Sequence, residues 1–450
     1  MRKSFSPLLA LFVSLMATVG LGQEPVPSTF FGMHAHNGVI HKQPWPSASF
    51  GSLRLWDTGT RWIDLEPRPG SYKWDELDRW LDAAQEHHLE VIFTFGGIPA
   101  WATGDINDPH CVAPGKKLMV PGSCHPPGDL REDGSGSNQQ WKDFVTALVK
   151  HAHGRIKYWE VWNEPHNLHY WHGTMPQMVR MTADLREIAK SADPDALIVS
   201  PGTGWQNPHE GNDKPRGDKN WNPLVWMDAY LEAGGKKYID VVAIHTYLRG
   251  ECPSGVYDSR QIAIRIDEAR KVMKKNGIPD MPLWSTEGSW GATKKFCTSD
   301  LALQAAFVGQ YYIMGWAAGL KRMYWYAWND GDTGPLWPRD IQRLQPAGKA
   351  YDVVYHWMVG ATLTGCNTDK NQTSCTFTRP DNSQYLAIWD SSRGCSNDNC
   401  ATAPVKVDAK YEDYLDLGGG KTKIENSTAP VGMEPIWLES SSGVSSGKKK

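Results

Sequence analysis

Two glutamates in this chain lie at the ends of apolar runs, where their side chains could do acid–base and nucleophilic chemistry. Glu164 lies in Trp162-Asn163-Glu164-Pro165, and Glu287 lies in Ser285-Thr286-Glu287-Gly288. A pair of carboxyl groups on a rigid scaffold can cleave a glycosidic bond, because one protonates the leaving oxygen while the other attacks the sugar carbon or activates water. We therefore ask which elements would hold the two carboxyl groups together.

The segments around these glutamates alternate between short apolar runs and stretches with helical spacing. The apolar runs, each typical of a buried strand, cover residues 30–36, 52–56, 89–95, 157–164, 197–201, 241–247, 283–287 and 322–328. Helical spacing is clearest over residues 74–88, 141–153, 178–192 and 261–276. Eight strand–helix repeats predict a closed (β/α)₈ TIM barrel, an α/β fold. The alternative is an open doubly wound sheet, which usually has a glycine-rich loop after its first strand, and none follows here.

Active sites of such barrels lie at the carboxyl ends of the strands, and both glutamates occupy that end of their runs. Glu160 precedes Glu164 by two strand periods and is predicted to point into the barrel as a structural partner for an arginine. The long loop over residues 98–140 is predicted to be an ordered wall of the cleft.

The chain changes in character after about residue 355, where short alternating runs replace helical spacing. We predict a catalytic barrel over residues 23–355, a small C-terminal β-sandwich domain over residues 356–440, and a disordered tail over residues 441–450. The sandwich could bind carbohydrate or only support the barrel.

Composition and the N-terminus indicate an exported globular enzyme. The 450 residues have a net charge of −3, which gives no reason to expect a nucleic-acid partner. Residues 1–22 have the pattern of a signal peptide, and no later segment is long and apolar enough to span a membrane, so we expect a secreted protein, extracellular or periplasmic. The even number of cysteines, eight, fits export, and nearest-neighbour pairing is one possibility. Those pairs would be Cys111–Cys124, Cys252–Cys297, Cys366–Cys375 and Cys395–Cys400.

The segment from Tyr158 to Pro165 resembles the fourth strand of clan A glycoside hydrolases, and further motifs are most similar to family 39 and its endoglycosidase-like members. These motifs are Gly97-Ile98-Pro99-Ala100-Trp101-Ala102, Tyr170-Trp171-His172-Gly173 and the run from Asp240 to Tyr247. The resemblance implies Glu164 as acid/base, Glu287 as nucleophile, and retention of anomeric configuration. It also implies that Asn163 binds the sugar 2-hydroxyl, that Tyr247 beside His245 hydrogen-bonds the nucleophile, and that Arg54 steadies it.

An acid/base must hold a proton at working pH, so we expect the pKa of Glu164 to be raised by apolar surroundings such as Trp162 and Trp325, and by the second carboxylate. Glu287 is expected to stay ionised. The other predicted substrate-binding side chains are His34, His36, His245, Trp101, Trp205, Trp290, Trp325 and Trp328, with Trp328 the first choice for sugar stacking.

The histidines beside the predicted cleft offer a second hypothesis, a metal site. His166, His169 and His172 follow the acid/base, but no H-E-x-x-H or comparable spacing occurs, so the sequence predicts hydroxyl-binding imidazoles, no metal and no cofactor. The predicted function is a secreted retaining β-glycoside hydrolase acting on a polysaccharide or oligosaccharide, with endo cleavage slightly favoured. The alternatives are an exo-acting β-glycosidase such as a β-xylosidase, a transglycosylase, and a non-catalytic carbohydrate-binding protein.

Overall fold

The computed structural model describes residues 24–112, 120–204, 221–248, 260–293 and 299–440. The predicted signal peptide, the C-terminal tail, Trp205 and the predicted Cys252–Cys297 pair lie outside these residues. Within them, no helix combines the length and the apolar character needed to cross a membrane.

Each of the eight predicted apolar runs contains a strand of one parallel sheet. The strands are β1 (Phe31–Met33), β2 (Ser52–Leu55), β3 (Glu90–Thr94), β4 (Tyr158–Glu160), β5 (Leu197–Val199), β6 (Val242–His245), β7 (Leu283–Gly288) and β8 (Met323–Trp325). β1 pairs with both β2 and β8, and parallel bridges from Val199 to Val241 and from Thr203 to Ile244 join β5 to β6. The sheet therefore closes on itself, and the predicted TIM barrel is confirmed.

Helices surround the barrel, and the four predicted helical segments are all helical. The α-helices of the described residues are α1 (Trp62–Leu65), α2 (Asp75–Glu86), α3 (Gln139–Ala152), α4 (Met175–Ala192), α5 (Pro223–Glu232), α6 (Arg260–Lys275), α7 (Leu301–Ala317) and α8 (Pro346–Met358). Capping explains the sharp start of α4, since the Thr174 hydroxyl accepts from the amide of Gln177, whose side chain accepts from the amide of Thr174.

Two apolar cores result from the alternation of side chains along the strands. Outward-facing residues pack against the helices, while a smaller group inside the barrel includes Tyr158, Trp284 and Tyr324. Arg322 lies between the rings of Tyr158 and Trp284, 4.4 and 4.6 Å from their centroids. These side chains fill the interior of the barrel toward the amino ends of the strands. A cleft can therefore form only at the carboxyl ends of the strands.

The C-terminal part is antiparallel, as predicted. Its strands are β9 (Thr362–Asp369), β10 (Gln372–Thr378), β11 (Gln384–Asp390), β12 (Cys395–Ser396), β13 (Asn399–Cys400), β14 (Thr402–Lys406), β15 (Tyr411–Leu415), β16 (Lys421–Lys423), β17 (Thr428–Gly432) and β18 (Ile436–Ser440). Six of them form one sheet in the order β16-β15-β18-β11-β10-β9. The predicted boundary at residue 355 lies inside α8, which continues to Met358. Gln310 of α7 donates to the carbonyl of Met433, which ties the sheets to the barrel.

Three of the four predicted disulfides lie in the described residues, and all three form: Cys111–Cys124, Cys366–Cys375 and Cys395–Cys400. The first closes part of the long loop after β3. The amide of His172, in the segment after β4, donates to the carbonyl of Cys124 at 2.8 Å, and His172 Nδ1 lies 2.6 Å from Asp108 Oδ2. The two loops are therefore joined into one wall on the carboxyl side of the barrel.

Candidate active site

Arg54, which points into the barrel from β2, organises the site. Its side chain is fully buried and donates from Nε to Glu160 Oε2 at 2.6 Å, from Nη1 to Glu287 Oε2 at 2.8 Å, and from Nη2 to Asn163 Oδ1 at 2.8 Å. The predicted pairing of Glu160 with an arginine is confirmed by this contact. A planar guanidinium with several fixed donors therefore holds three side chains in one arrangement, two from β4 and the segment after it and one from β7.

We expect Arg54→Lys to destabilise the protein by about 3 kcal/mol, because one ammonium cannot replace three directed bonds and leaves buried carboxylates poorly paired. Urea unfolding measures the change. Arg393→Lys is the control, since Arg393 forms a partly exposed pair with Asp390 in the C-terminal part and should change stability by less than about 0.5 kcal/mol. Equal stability of the Arg54 variant and the wild type would contradict the organising role.

Glu287 reaches the cleft through an irregularity in β7. Ile244 of β6 pairs with Ser285, but the next residue, His245, pairs with Glu287, so Thr286 is an extra residue in β7. Such a bulge changes the direction of the following side chain. The hydroxyl of Tyr247 donates a hydrogen bond to Glu287 Oε1 at 2.5 Å, while Arg54 contacts the other carboxylate oxygen, Oε2. Burial, together with the charge of Glu164, raises the pKa of Glu287 above its ordinary value, although Arg54 and His245 act in the opposite direction.

Glu164 lies four residues beyond the end of β4 in a left-handed backbone conformation, with φ of +42°. Its amide donates to the carbonyl of Gly202 at 2.8 Å. Its Oε1 lies 2.9 Å from His245 Nδ1, and its Oε2 accepts from Asn167 Nδ2 at 2.9 Å. This conformation is uncommon for glutamate and is typical of functional positions.

A carboxylate oxygen of Glu164 lies within 4.8 Å of one of Glu287, with His245 Nδ1 between the two side chains. The imidazole nitrogen is 2.9 Å from Glu164 and 3.9 Å from Glu287. The structure therefore brings together the two predicted carboxyl groups, and it places His245, predicted as a substrate-binding residue, beside both of them.

The prediction that the pKa of Glu164 is raised is wrong for this arrangement. Burial does raise it, but the hydrogen bond from His245 and the positive charges of His245 and His166 outweigh burial and lower the pKa of Glu164 to about 2. Trp162 and Trp325 do not supply the expected surroundings. Trp162 packs against Trp171, and its Nε1 donates to the carbonyl of Tyr170.

The two histidines predicted from β1 lie on the same side of the cleft as Glu287. His34 is buried, with Nε2 3.0 Å from the carbonyl oxygen of Thr286, and burial lowers the pKa of His34 well below its ordinary value. His36 is partly exposed and lies between Asp57 and Asp330, 4.0 and 3.8 Å away. Only His36 of the two offers an accessible side chain to a ligand.

The tryptophans predicted to stack on sugar are mostly core residues. Trp290 and Trp325 are completely buried, and both pack against Phe307 of α7, so the prediction is wrong for these two. Trp328 is also wrong as a stacking residue, since only 1% of its surface is exposed. Trp101 is partly exposed, and its Nε1 donates to the carbonyl of Glu66. Packing on α7 therefore occupies the rings of Trp290 and Trp325, and the ring of Trp101 packs against Trp62.

Three residues that the sequence reasoning did not select also lie at the site. Tyr326 donates its hydroxyl to Asp57 Oδ2 at 2.6 Å, and its ring lies 5.1 Å from His34. Tyr170 is near Glu164, Asp57 and Glu287, whose negative charges together with burial raise the pKa of Tyr170 well above its ordinary value. Asp57 lies two residues beyond the end of β2, and this position could have identified it, because site residues of such barrels follow the strands.

The three histidines after Glu164 do not converge. His166 is buried near Glu164, and burial lowers its pKa to about 4. His172 instead contacts Asp108, whose other oxygen lies 2.9 Å from His110 Nδ1. Among the described residues, each oxygen of Asp108 thus serves one imidazole, which fits the joining of two loops.

No family model matches the chain. A β-xylosidase from Geobacillus stearothermophilus is 23% identical over 272 residues, which cover 55% of this chain and 47% of that protein, so the match spans about half of the relative's length.

Solved structures match nearly the whole chain. A family 39 glycoside hydrolase from Bacteroides cellulosilyticus has a TM-score of 0.62 at 17% identity, over 92% of this chain and 81% of that one. A family 39 enzyme from Xanthomonas axonopodis has a TM-score of 0.62 at 15% identity, over 93% and 96%. A family 30 endoxylanase from Clostridium papyrosolvens has a TM-score of 0.56 at 12% identity, over 94% and 98%. The chain therefore has the fold of the family 39 and family 30 glycoside hydrolases, in agreement with the resemblance that its motifs indicate.

Proposed function

We propose that this protein is a retaining β-glycoside hydrolase of the family 39 type, with Glu164 as acid/base and Glu287 as nucleophile. The observation that carries the proposal is the separation of at most 4.8 Å between their carboxylate oxygens. Retaining enzymes have carboxyl groups about 5–5.5 Å apart, whereas inverting enzymes need roughly 6.5–9.5 Å to admit a water molecule. A non-catalytic carbohydrate-binding protein would not need two such carboxylates held by Arg54, Tyr247 and His245.

The proposed reaction has two steps. Glu287 attacks the anomeric carbon while Glu164 protonates the leaving oxygen, which gives a covalent glycosyl-enzyme. Water then attacks the same carbon and gives a proton to Glu164, while the bond from Glu287 to that carbon breaks and releases the Glu287 carboxylate. Arg54 and Tyr247 hold the oxygens of Glu287 in the attacking position, and Asn163, fixed by Arg54, directs its amide toward the sugar 2-hydroxyl.

We further propose a polysaccharide or oligosaccharide substrate, cleaved internally, outside the cytoplasm. The long loop after β3 and the segment after β4 form a joined wall, which suits a chain-binding groove. The relatives support carbohydrate substrates of either kind, because they include β-xylosidases and an endoxylanase. The disulfides and the predicted signal peptide support export.

Incubation of the mature protein with a panel of β-linked polysaccharides and aryl glycosides tests this function. We expect one polymer to give intermediate oligosaccharides, with the β-anomer formed first when products are followed by NMR. Monosaccharide as the sole product would replace the endo proposal with the exo alternative. An α-anomer formed first would contradict retention, and a lack of products throughout, with binding retained, would favour a carbohydrate-binding protein.

A further inference from the structure

The end of β7 that carries Glu287 is out of register with both neighbouring strands. On the β6 side the pairing shifts between Ser285 and Glu287, and on the β8 side it shifts between Ser285 and Gly288. A bulge of this kind interrupts the regular ladder of hydrogen bonds and leaves its extra residue unpaired. The ladder alone therefore does not fix the backbone of Glu287, and other contacts are needed to hold it.

Three hydroxyl groups lie behind this segment, on the side that faces α7. The hydroxyl of Tyr311 on α7 contacts Thr246 Oγ1, which lies 2.5 Å from Ser285 Oγ. Ser285 Oγ donates in turn to the carbonyl of Glu287 at 3.3 Å. Each hydroxyl has one proton to donate, so the three protons can be arranged as a chain that runs from Tyr311 to this carbonyl. All three side chains are buried, so solvent does not compete for these bonds.

Thr246 connects the three hydroxyl groups to both sides of the site. It lies between His245 and Tyr247, whose side chains contact the two carboxylates. Because side chains alternate along an extended segment, these neighbours face the cleft while Thr246 faces α7. The amide of Thr246 also donates to the carbonyl of Glu287 at 2.8 Å, and its own carbonyl accepts from Tyr311 at 3.2 Å. The backbone of Glu287 and its hydrogen-bond donor Tyr247 thus depend on one anchor.

The same hydroxyl group explains why a glycine follows Glu287. A Cβ on Gly288 would overlap the hydroxyl oxygen of Tyr311 and would lie 2.8 Å from Thr246 Oγ1. Gly288 does not have a positive φ, so the position demands glycine for its space and not for its backbone conformation. The residue next to Glu287 therefore lacks a side chain where Tyr311 enters.

We infer that Tyr311 is a positioning residue for the proposed reaction, because its hydroxyl fixes the bulged end of β7 and so holds the carboxylate of Glu287 where it can attack the anomeric carbon. The inference rests on the proposed function, in which Glu287 is the nucleophile. Tyr311 acts through Thr246 and Ser285 and does not itself touch the sugar. Attack depends strongly on position, since a misplacement of about 1 Å can cost roughly 100-fold in rate.

The Tyr311 side chain is suited to this role because its ring is held on two sides. Its centroid is 5.3 Å from that of Phe307 on the same helix and 5.8 Å from that of Trp325 on β8. Burial raises the pKa of Tyr311 to about 12, so the hydroxyl is a donor at neutral pH. A phenylalanine would keep the packing of the ring and lose only the hydrogen bonds.

Tyr311→Phe tests the positioning role. For an aryl glycoside that the wild type cleaves, we expect kcat/KM to fall by about 10- to 100-fold, while the inhibition constant of the released free sugar changes by less than about twofold. Tyr312→Phe is the matched control, because it removes a buried hydroxyl from the same helix that no described residue of β6 or β7 bonds, and its kinetics should equal those of the wild type. Lower thermal stability of Tyr311→Phe with unchanged kcat/KM would show a purely structural role and overturn the inference.

Gly288→Ala, alone and combined with Tyr311→Phe, tests the link between the two residues. The single variant forces a Cβ against the hydroxyl and should lose at least about 100-fold in kcat/KM. Without the hydroxyl, no ring atom of residue 311 comes closer than 3.1 Å to that Cβ, so the double variant should be at least about tenfold more active than Gly288→Ala. A double variant whose loss is the product of the two single losses would overturn the link.

Crystal structures of the wild type and Tyr311→Phe measure the position of Glu287 without using activity. We expect the carboxylate in the variant to move away from Tyr247 and Arg54. A carboxylate that stays in place would overturn the inference. Absence of any glycosidase turnover in the wild type would instead refute the proposed function.

Discussion

Glu287→Ala is expected to lose at least about 10⁴-fold in kcat on every glycoside that the wild type cleaves, while the protein stays folded. The reason is that the covalent intermediate needs a carboxylate on the face of the sugar opposite the leaving group, and no other described carboxylate is held by both Arg54 and Tyr247. Steady-state kinetics with an aryl glycoside and circular dichroism of the variant measure the two halves of this prediction.

Addition of azide to Glu287→Ala is a second test of the nucleophile role of Glu287. Small anions can enter the space left by the removed side chain, so azide should restore turnover of Glu287→Ala and give a glycosyl azide with inverted configuration. Glu425→Ala is the matched control, because Glu425 is exposed in the C-terminal part, and its kinetics should equal those of the wild type. Wild-type turnover in Glu287→Ala, or a restored product with retained configuration, would remove Glu287 from the nucleophile role.

The barrel itself could be predicted from sequence because its signals are local. The strands of a parallel sheet that is covered on both faces appear in the sequence as short apolar runs. Each of the eight predicted runs contains one strand of the barrel. The ends of those runs also pointed to Glu164 and Glu287, whose carboxylate oxygens the structure brings within 4.8 Å of each other. The boundary errors are small, as for α8, which ends three residues beyond the predicted limit of the barrel.

Side-chain direction was harder to predict, and β8 illustrates why. Tyr324 points into the barrel, so alternation sends its neighbour Trp325 outward onto Phe307 and Tyr311 of α7. Assigning alternate residues of β8 to the inner and outer faces of the barrel would have excluded Trp325 from the cleft. β7 shows the opposite case, because the extra residue Thr286 breaks the alternation and no local pattern in the sequence marks it.

The electrostatics of the site depended on contacts between distant residues. His245 and Glu164 are 81 positions apart, and whether Nδ1 faces the carboxylate follows from the packing of β6 against the extension of β5. The expected apolar environment for Glu164 was thus replaced by an imidazole. Similarly, α7 is buried on nearly all sides between the barrel and the C-terminal sheets, so it lacks the apolar stripe by which α2, α3, α4 and α6 were predicted.

The second large effect is expected for Glu164→Ala, and it should depend on the leaving group. Natural substrates leave as alkoxides and need protonation, so their kcat/KM should fall by roughly 10³-fold, within the usual range for general acid catalysis. An aryl glycoside with a strongly acidic phenol needs little protonation, and its first step should fall by less than about tenfold. Since Glu164 also activates the water of the second step in the proposed mechanism, the glycosyl-enzyme should accumulate and give a burst of phenol.

The plot of log kcat/KM against the pKa of the leaving phenol measures this effect. We expect a steep negative slope in Glu164→Ala and a shallow one in the wild type. Azide should accelerate the second step and give a glycosyl azide with retained configuration, the opposite of the Glu287 product, because it enters from the side of Glu164. Glu187→Ala, exposed on α4, is the control and should match the wild type. Equal losses for good and poor leaving groups would assign the acid role to another residue, and His245, which contacts both carboxylates, would be the first to test.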